Sequence, residues 1–326
     1  MASEKELIER AGKKLPSRSG SGLRVGIGDD AAVMRPKQGI EWVVTSDAFV
    51  QNIHFLLRVH PPEAVGYKAL ARATSDLAAM GARPLYFVMN LALPTACTGK
   101  WFDGFLEGMV QAARTFGLVL VGGDTTRSTL AAINLTIIGA IESGQAVLRS
   151  GARPGNLICV SGTLGEAELG LQLLQRRIHK SNKWKKLLRK HFYPQPRLEL
   201  GQWLAKNGRA TAMIDTSDGL STDLMHLCEA SEVGAKLWAT KIPKVIVPDD
   251  VRKLGLDPLR LALDGGDDYE LLFTVPKSLE RYLPRAVRGV PITVIGEITR
   301  EKRNLLIDET GRAAALPARG WDPFRK

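Results

Sequence analysis

Carboxylates beside glycines and hydroxyls recur along this sequence: Gly28-Asp29-Asp30, Thr45-Ser46-Asp47, Gly123-Asp124, Asp215-Thr216-Ser217-Asp218-Gly219 and Gly266-Asp267-Asp268. Asp76 adds an acid within a helical pattern. A single group of this kind is an ordinary loop signal; the recurrence points to a set of hard oxygens. Two ionised carboxylates about 4 Å apart repel by roughly 4 kcal/mol at an effective dielectric near 20, so acids that converge need cations. Aspartate and hydroxyl oxygens without His or Cys favour Mg2+, which is held by a few carboxylates, waters and substrate phosphates. The chemistry implied is on nucleotide phosphates. In such transfers the protein positions the reactants and neutralises developing charge, so no nucleophilic Ser or Cys is required.

Apolar runs supply the elements that would carry these acids. Leu118 to Val121 reads as a buried strand ending on Gly122-Gly123-Asp124, and Trp42 to Asp47 as a short β-prone run ending in hydroxyls and an acid. Pro61-Pro62-Glu63 opens a helix that runs to Met80. Asp76 falls in its last turns, facing the negative end of the helix dipole at a cost of roughly 0.3–1 kcal/mol if exposed and unpaired. It calls for a cation, the alternative being a solvated surface Asp. Further strands are expected at Tyr86 to Leu93, Ile133 to Ile141, Leu157 to Val160 and Ala212 to Ile214, and helices at about Trp101 to Phe116 and Arg197 to Lys206. Leu261 to Phe273 reads as a polar turn between apolar runs. This alternation argues for an α/β arrangement. A cluster of polar residues, glycine and proline from Gly144 to Pro154 marks a boundary, giving domains 1–148 and 149–326.

Composition narrows the classes. With 326 residues, 44% of them hydrophobic, the chain can build two cores. The charged N-terminus lacks a signal-peptide pattern, and no run approaches the ~18–20 apolar residues of a membrane span, so a cytoplasmic protein is expected. Cys97, Cys159 and Cys228 are odd in number and far apart, which suggests neither a disulfide framework nor a zinc site. The net charge is +11, and much of the excess lies in Arg176 to Lys190, a stretch without acids. A solvated helix face or loop is the simpler reading of that segment than a nucleic-acid surface. Gly26-x-Gly28-x-x-Ala31 fits a relaxed dinucleotide fingerprint, but Asp29 and Asp30 occupy the turn where a pyrophosphate needs bare amides. EF-hand spacing, a Walker A sequence and the protein-kinase catalytic loop are absent. His54, alone in QNIHF, reads first as a hydrogen-bonded structural residue.

Seven segments in order, GIGDDAAV, TSDAFVQNIHF, YKALARATSDLAAMGARP, VGGDTTR, LRSGARPG, IDTSDGLSTDL and LDGGDDYELLFTVP, resemble the thiamine-monophosphate kinase family, of the superfamily of aminoimidazole ribonucleotide synthetase and selenophosphate synthetase. The resemblance spans about Gly26 to Phe324. It implies ATP-dependent phosphorylation of thiamine monophosphate to thiamine diphosphate, with several Mg2+ ions and direct in-line transfer. Carried onto matching positions, the metal ligands are Asp30, Thr45 (through its backbone), Ser46, Asp47, Asp76, Asp124, Asp215 and Asp218. ATP is assigned to Gly123, Asp124, Arg149 and Ser217. Thiamine monophosphate is assigned to His54, Asp267 and Trp321. Arg149 offers a forked donor for phosphate oxygens, and Trp321 a surface for a cationic ring.

The family usually carries Gly-Gly-Glu-Asp-Tyr-Glu where this chain has Gly-Gly-Asp-Asp-Tyr-Glu, so the acid at 267 is a methylene shorter. The implied fold is α/β plus α+β, a two-domain aminoimidazole ribonucleotide synthetase-like architecture whose N-terminal sheet pairs across a homodimer. A selenophosphate synthetase is disfavoured, because the N-terminal region lacks that enzyme's catalytic Cys or Sec.

Overall fold

The computed structural model describes residues 10, 13–15, 23–25, 33–34, 37–176, 178, 184–206, 208–322 and 324. Residues Met1–Leu77 with Ala82–Gly144 form one unit, and Ala78–Gly81 with Gln145–Lys326 form a second.

The first unit contains a short antiparallel pair, β1 (Leu23–Val25) and β2 (Val33–Met34), and a four-stranded sheet. The strands of that sheet are β3 (Ile40–Val50), β4 (Arg83–Leu93), β5 (Val119–Arg127) and β6 (Ala132–Glu142), in the order β3-β6-β4-β5. Helix α1 (Pro62–Met80) joins β3 to β4, and α2 (Lys100–Phe116) makes the crossover between the parallel neighbours β4 and β5. Thr45, Asp47 and Phe49 of β3 lie opposite Ile137, Leu135 and Ile133 of β6, which lie opposite Phe87, Met89 and Leu91 of β4. Apart from the first two, these residues are buried. Side chains alternate across a strand, so they form one face of the sheet. A hydrogen bond from Thr45 to Asp76 of α1 identifies it as the face that meets that helix.

Two strands run further than their apolar residues suggest. The polar stretch Gly122 to Arg127, which begins where the strand was expected to end, is the second half of β5, and β3 continues past Asp47 to Val50. The reason is pairing. β4 offers a parallel partner as far as Leu93 opposite Arg127, and β6 runs opposite β3 down to Ala132 opposite Val50. Gly123 is required there by close packing, since a Cβ at this position would lie 2.0 Å from the Met89 carbonyl oxygen.

The second unit is built on an eight-stranded sheet: β7 (Leu157–Ser161), β8 (Ala212–Asp215), β9 (Gly234–Trp238), β10 (Leu271–Val275), β11 (Ala286–Val287), β12 (Val290–Thr299), β13 (Asn304–Ile307) and β14 (Ala313–Ala315). Its order is β14-β13-β9-β12-β7-β10-β8, with β11 paired to β12. All pairs are antiparallel except β13 with β9. Every residue of β7, β8 and β10 is buried. That explains their nearly unbroken apolar sequences. Among the described residues the unit's α-helices are α3 (Glu166–Gln175), α4 (Lys185–Phe192), α5 (Leu198–Lys206), α6 (Leu220–Ala230), α7 (Asp249–Arg252) and α8 (Pro258–Asp264). Ile158, Val160, Ile214, Leu224, Leu263, Leu272 and Ile295 belong to one buried cluster joining sheet and helices. Both units are therefore mixed α and β, and the first unit's sheet has one parallel pair, β4 with β5, beside two antiparallel ones.

Cys97, Cys159 and Cys228 are buried free thiols, and burial holds each above its ordinary range. No described helix is long and apolar enough to cross a membrane.

Candidate functional site

In the first unit the acids of β3 and α1 meet across the helix-facing side of the sheet. Residues 45, 47 and 49 of β3 share that side by strand alternation, and residues 72 and 76 share one side of α1 by helical spacing. Thr45 Oγ1 donates to Asp76 Oδ2 at 2.5 Å. Arg72 donates from Nε to Asp47 Oδ2 at 3.0 Å and from Nη2 to Oδ1 at 3.2 Å, while its guanidinium lies 5.1 Å from the centre of the Phe49 ring.

Ser46 and Asp124 occupy the opposite face. Ser46 lies opposite Thr136, and its neighbour Ala48 lies opposite Asn134, which pairs with Asn90 and, through it, with Asp124. The Ser46 hydroxyl reaches Asn134 Oδ1 at 3.2 Å and Thr136 Oγ1 at 3.1 Å. Asp124 is exposed on β5, and its Oδ1 accepts from the Thr125 amide at 2.9 Å. Thr45, Asp47 and Asp76 are thus brought together, while Ser46 and Asp124 share the other side of the sheet. His54 accepts the Val50 amide at Nδ1 (3.0 Å) and lies tilted against Phe49. That nitrogen fastens its loop. Asp30 lies outside the described residues.

In the second unit three separate segments converge at the end of β8. The Asp267 amide donates to the Ser217 carbonyl and the Tyr269 amide to the Thr216 carbonyl, both at 2.9 Å, so the Gly266–Glu270 segment lies along Asp215–Gly219. The Trp321 amide donates to the Asp218 carbonyl at 2.8 Å, the Gly320 amide to Thr222 Oγ1 at 3.0 Å and the Arg319 amide to Ser221 Oγ at 3.2 Å. Gly320 permits this approach, because a Cβ there would sit 2.0 Å from the Asp218 carbonyl oxygen. Asp215, Ser217, Asp218, Asp267 and the half-exposed Trp321 are therefore neighbours. Met213 donates its amide to the Leu148 carbonyl, which lays the segment bearing the exposed Arg149 beside β8. Asp267 adopts φ 68°, in the left-handed region that Asp enters more readily than most residues, and Tyr269 Oη donates to its Oδ1 at 2.6 Å.

Three acids were given no role by the sequence reading, although Asp268 stood in its acid set. Asp223, buried in the first turn of α6, accepts the Gly219 amide at 3.0 Å and the Asp218 amide at 3.3 Å. Burial pushes its carboxyl well above the usual range, and the charges of Asp215 and Asp218 push it further. Asp268 caps the start of α3, accepting from the Gly165 amide at 2.5 Å and the Ala167 amide at 3.1 Å. Enclosure raises that carboxyl to about 8 against the pull of those amides. Glu270 is buried, bonded by Ser161 Oγ at 2.5 Å and gripped by both arms of the Arg197 fork, one of them Nε at 2.6 Å. The available signals were an acid one turn past Gly219 and the two acids of the Gly266–Glu270 segment following Asp267.

The chain matches the AIR synthase related protein models over both halves: the N-terminal domain at residues 28–141 and the C-terminal domain at 153–309. A thiamine-monophosphate kinase of Escherichia coli (strain K12) is 37% identical over 309 residues, covering 93% of this chain and 92% of that protein. The chain belongs to the thiamine-monophosphate kinase family. The crystal structure of thiamine-monophosphate kinase from Stenotrophomonas maltophilia K279a superimposes with a TM-score of 0.80 at 35% identity, covering 94% of this chain and 95% of that one. AaThiL, solved in complex with AMPPCP and TMP, has a TM-score of 0.76 at 31% identity and covers 98% of this chain and 96% of its own.

For a thiamine-monophosphate kinase the donor set suits Mg2+: Asp and hydroxyl oxygens, with neither thiol nor paired imidazole. Among the described residues no group of three or more His, Cys, Asp or Glu side chains could hold a metal by itself. Mg2+ tolerates that, because it keeps waters and takes substrate phosphates as ligands.

Proposed function

We propose that this chain phosphorylates thiamine monophosphate to thiamine diphosphate with ATP, in thiamine diphosphate biosynthesis. The observation that carries this reading is the nearly full-length match to thiamine-monophosphate kinases, one of them solved with AMPPCP and TMP. Mg2+ neutralises charge on the transferring phosphates when bound. Its ligands are drawn from Asp30, Thr45, Ser46, Asp47, Asp76, Asp124, Asp215 and Asp218. Gly123, Asp124, Arg149 and Ser217 bind ATP, Arg149 through a forked grip on phosphate oxygens. His54, Asp267 and Trp321 receive the thiamine end, with the indole offered to a cationic ring. Support for the last two comes from their shared neighbourhood with Ser217 and Asp218. Transfer is direct and in line.

The N-terminal domain binds ATP and Mg2+ and makes a homodimer. Support for the dimer comes from the apolar end of the sheet face turned away from α1, where Val44 is 60% exposed and Ile40 and Trp42 border a cluster with Tyr86 and Ile138. A monomeric mass at micromolar concentration would count against it. The protein works in the cytoplasm on small-molecule substrates.

A coupled ADP-release assay with Mg2+ and ATP tests the substrate. Turnover is expected with thiamine monophosphate and not with thiamine or without acceptor. Equal turnover in all three overturns the reading.

A further inference from the structure

Both carboxylate oxygens of Asp47 are engaged by a cationic side chain of the protein: Nε of Arg72 at 3.0 Å and Nη2 at 3.2 Å. The pair is partly shielded, with side-chain exposures of 14% for Arg72 and 29% for Asp47. Phe49, two residues along the same strand, lies under the guanidinium at 5.1 Å. Fork geometry and ring contact fix Arg72 twice over, which separates this pair from a loosely solvated surface contact. We infer that Arg72 is a built-in counter-charge on Asp47 that weakens the hold of this site on a divalent cation, so that the metal is taken up with the nucleotide. The inference rests on the reading of Asp47 as a metal ligand.

The physical argument is competition. An ionised carboxylate offers about four lone-pair directions, so the fork leaves Asp47 open to a metal. A metal arriving there meets a fixed positive charge, and it must either share the carboxylate with Arg72 or displace it. Either course lowers affinity below that of the same acid without its arginine. Asp76, one turn further along α1, receives the hydroxyl of Thr45 at 2.5 Å. Nucleotide phosphates supply the negative charge that tips the balance toward the metal.

The test is a Mn2+ titration followed by electron paramagnetic resonance without nucleotide, on the full chain and on Arg72→Met, with melting curves to establish folding. Arg72→Met is expected to bind Mn2+ about tenfold more tightly than the parent. Adding Asp47→Asn should abolish that gain. Should Arg72→Met fail to fold, Arg72→Gln takes its place with the same expectation. Unchanged or weaker Mn2+ binding in a folded Arg72 variant, with binding still lost in Asp124→Asn, overturns the inference alone. Mn2+ binding that neither Asp124→Asn nor Asp47→Asn alters overturns the metal reading together with it.

Discussion

The two acid-bearing regions of this protein manage their charge in opposite ways. On the helix-facing side of the first unit's sheet, the acids have side-chain partners: the Arg72 fork grips Asp47, and the Thr45 hydroxyl donates to Asp76. At the end of β8 the acids crowd. Asp223 feels both Asp215 and Asp218, and its Oδ2 accepts two backbone amides at the start of α6. A paired acid region keeps its shape without a ligand, whereas a crowded one is stabilised by whatever positive charge arrives. The second unit does contain an arginine fork, but Arg197 spends it on Glu270, one segment away from the crowd. The second unit thus keeps its fork next to the crowded acids, whereas the first sets one directly on Asp47.

The sharpest way to break this comparison is to remove an acid assigned to metal. Asp124→Asn should leave the melting temperature near that of the parent and lower kcat/KM by about a hundredfold or more, since a lost ligand withdraws charge stabilisation from the transferring phosphate. An unaltered rate would show that this strand acid holds no metal.

Next in size is the buried fork. Arg197→Met leaves Glu270 without its cation in a fully buried position, and it should cost about 3–5 kcal/mol in urea unfolding. A loss below 1 kcal/mol would mean that the pair is solvated and the contrast with Asp47 is overstated.

Asp223 separates charge from shape. Because its carboxyl is pushed well up by burial and by its neighbours, Asn imitates the form the site prefers, so Asp223→Asn should stay near parental stability. Asp223→Ala orphans the Asp218 and Gly219 amides and should cost about 1–3 kcal/mol, read from the same unfolding curves. Equal effects of the two would remove the case for a protonated acid.

The smallest effect is a slope. The Asp268 carboxyl is raised from 3.8 to about 8 in the folded protein, so between those values the folded state holds a proton that the unfolded chain has released. Its contribution to stability is fully present below pH 4, falls as pH rises toward 8, and is level above. Asp268→Asn should flatten that part of the stability profile, and a slope unchanged in the variant would assign it to other groups.

How far these regions could be read from sequence depended on how local their causes are. β7 and β10 were visible as apolar runs because both their faces are buried. The full lengths of β3 and β5 were not: Gly122, Gly123 and Asp124 disfavour a strand in the latter, and the partner β4, which lies across a helix in sequence, imposes it. The acids beside glycines announced themselves, and the resemblance assigned their roles. What stayed hidden was the long-range bonding among them: Arg197 and Glu270 are 73 residues apart, and the cap of Asp268 on Gly165 spans 103. Asp223 was silent for a different reason, since an acid in a helix's first turn is what the helix dipole favours anyway. The pairing of Asp47 with Arg72 required knowing that 47 and 72 face each other across β3 and α1, a matter of register that composition cannot supply.

The measurement that tests the central claim most directly follows the phosphoryl group itself. ATP labelled with 18O in its γ-phosphoryl group is incubated with the protein, Mg2+ and thiamine monophosphate, and the products are weighed by mass spectrometry. Thiamine diphosphate carrying the label in its terminal phosphate, formed in step with ADP, is the predicted result. Labelled inorganic phosphate with unchanged thiamine monophosphate would contradict it, leaving an ATPase in place of the kinase.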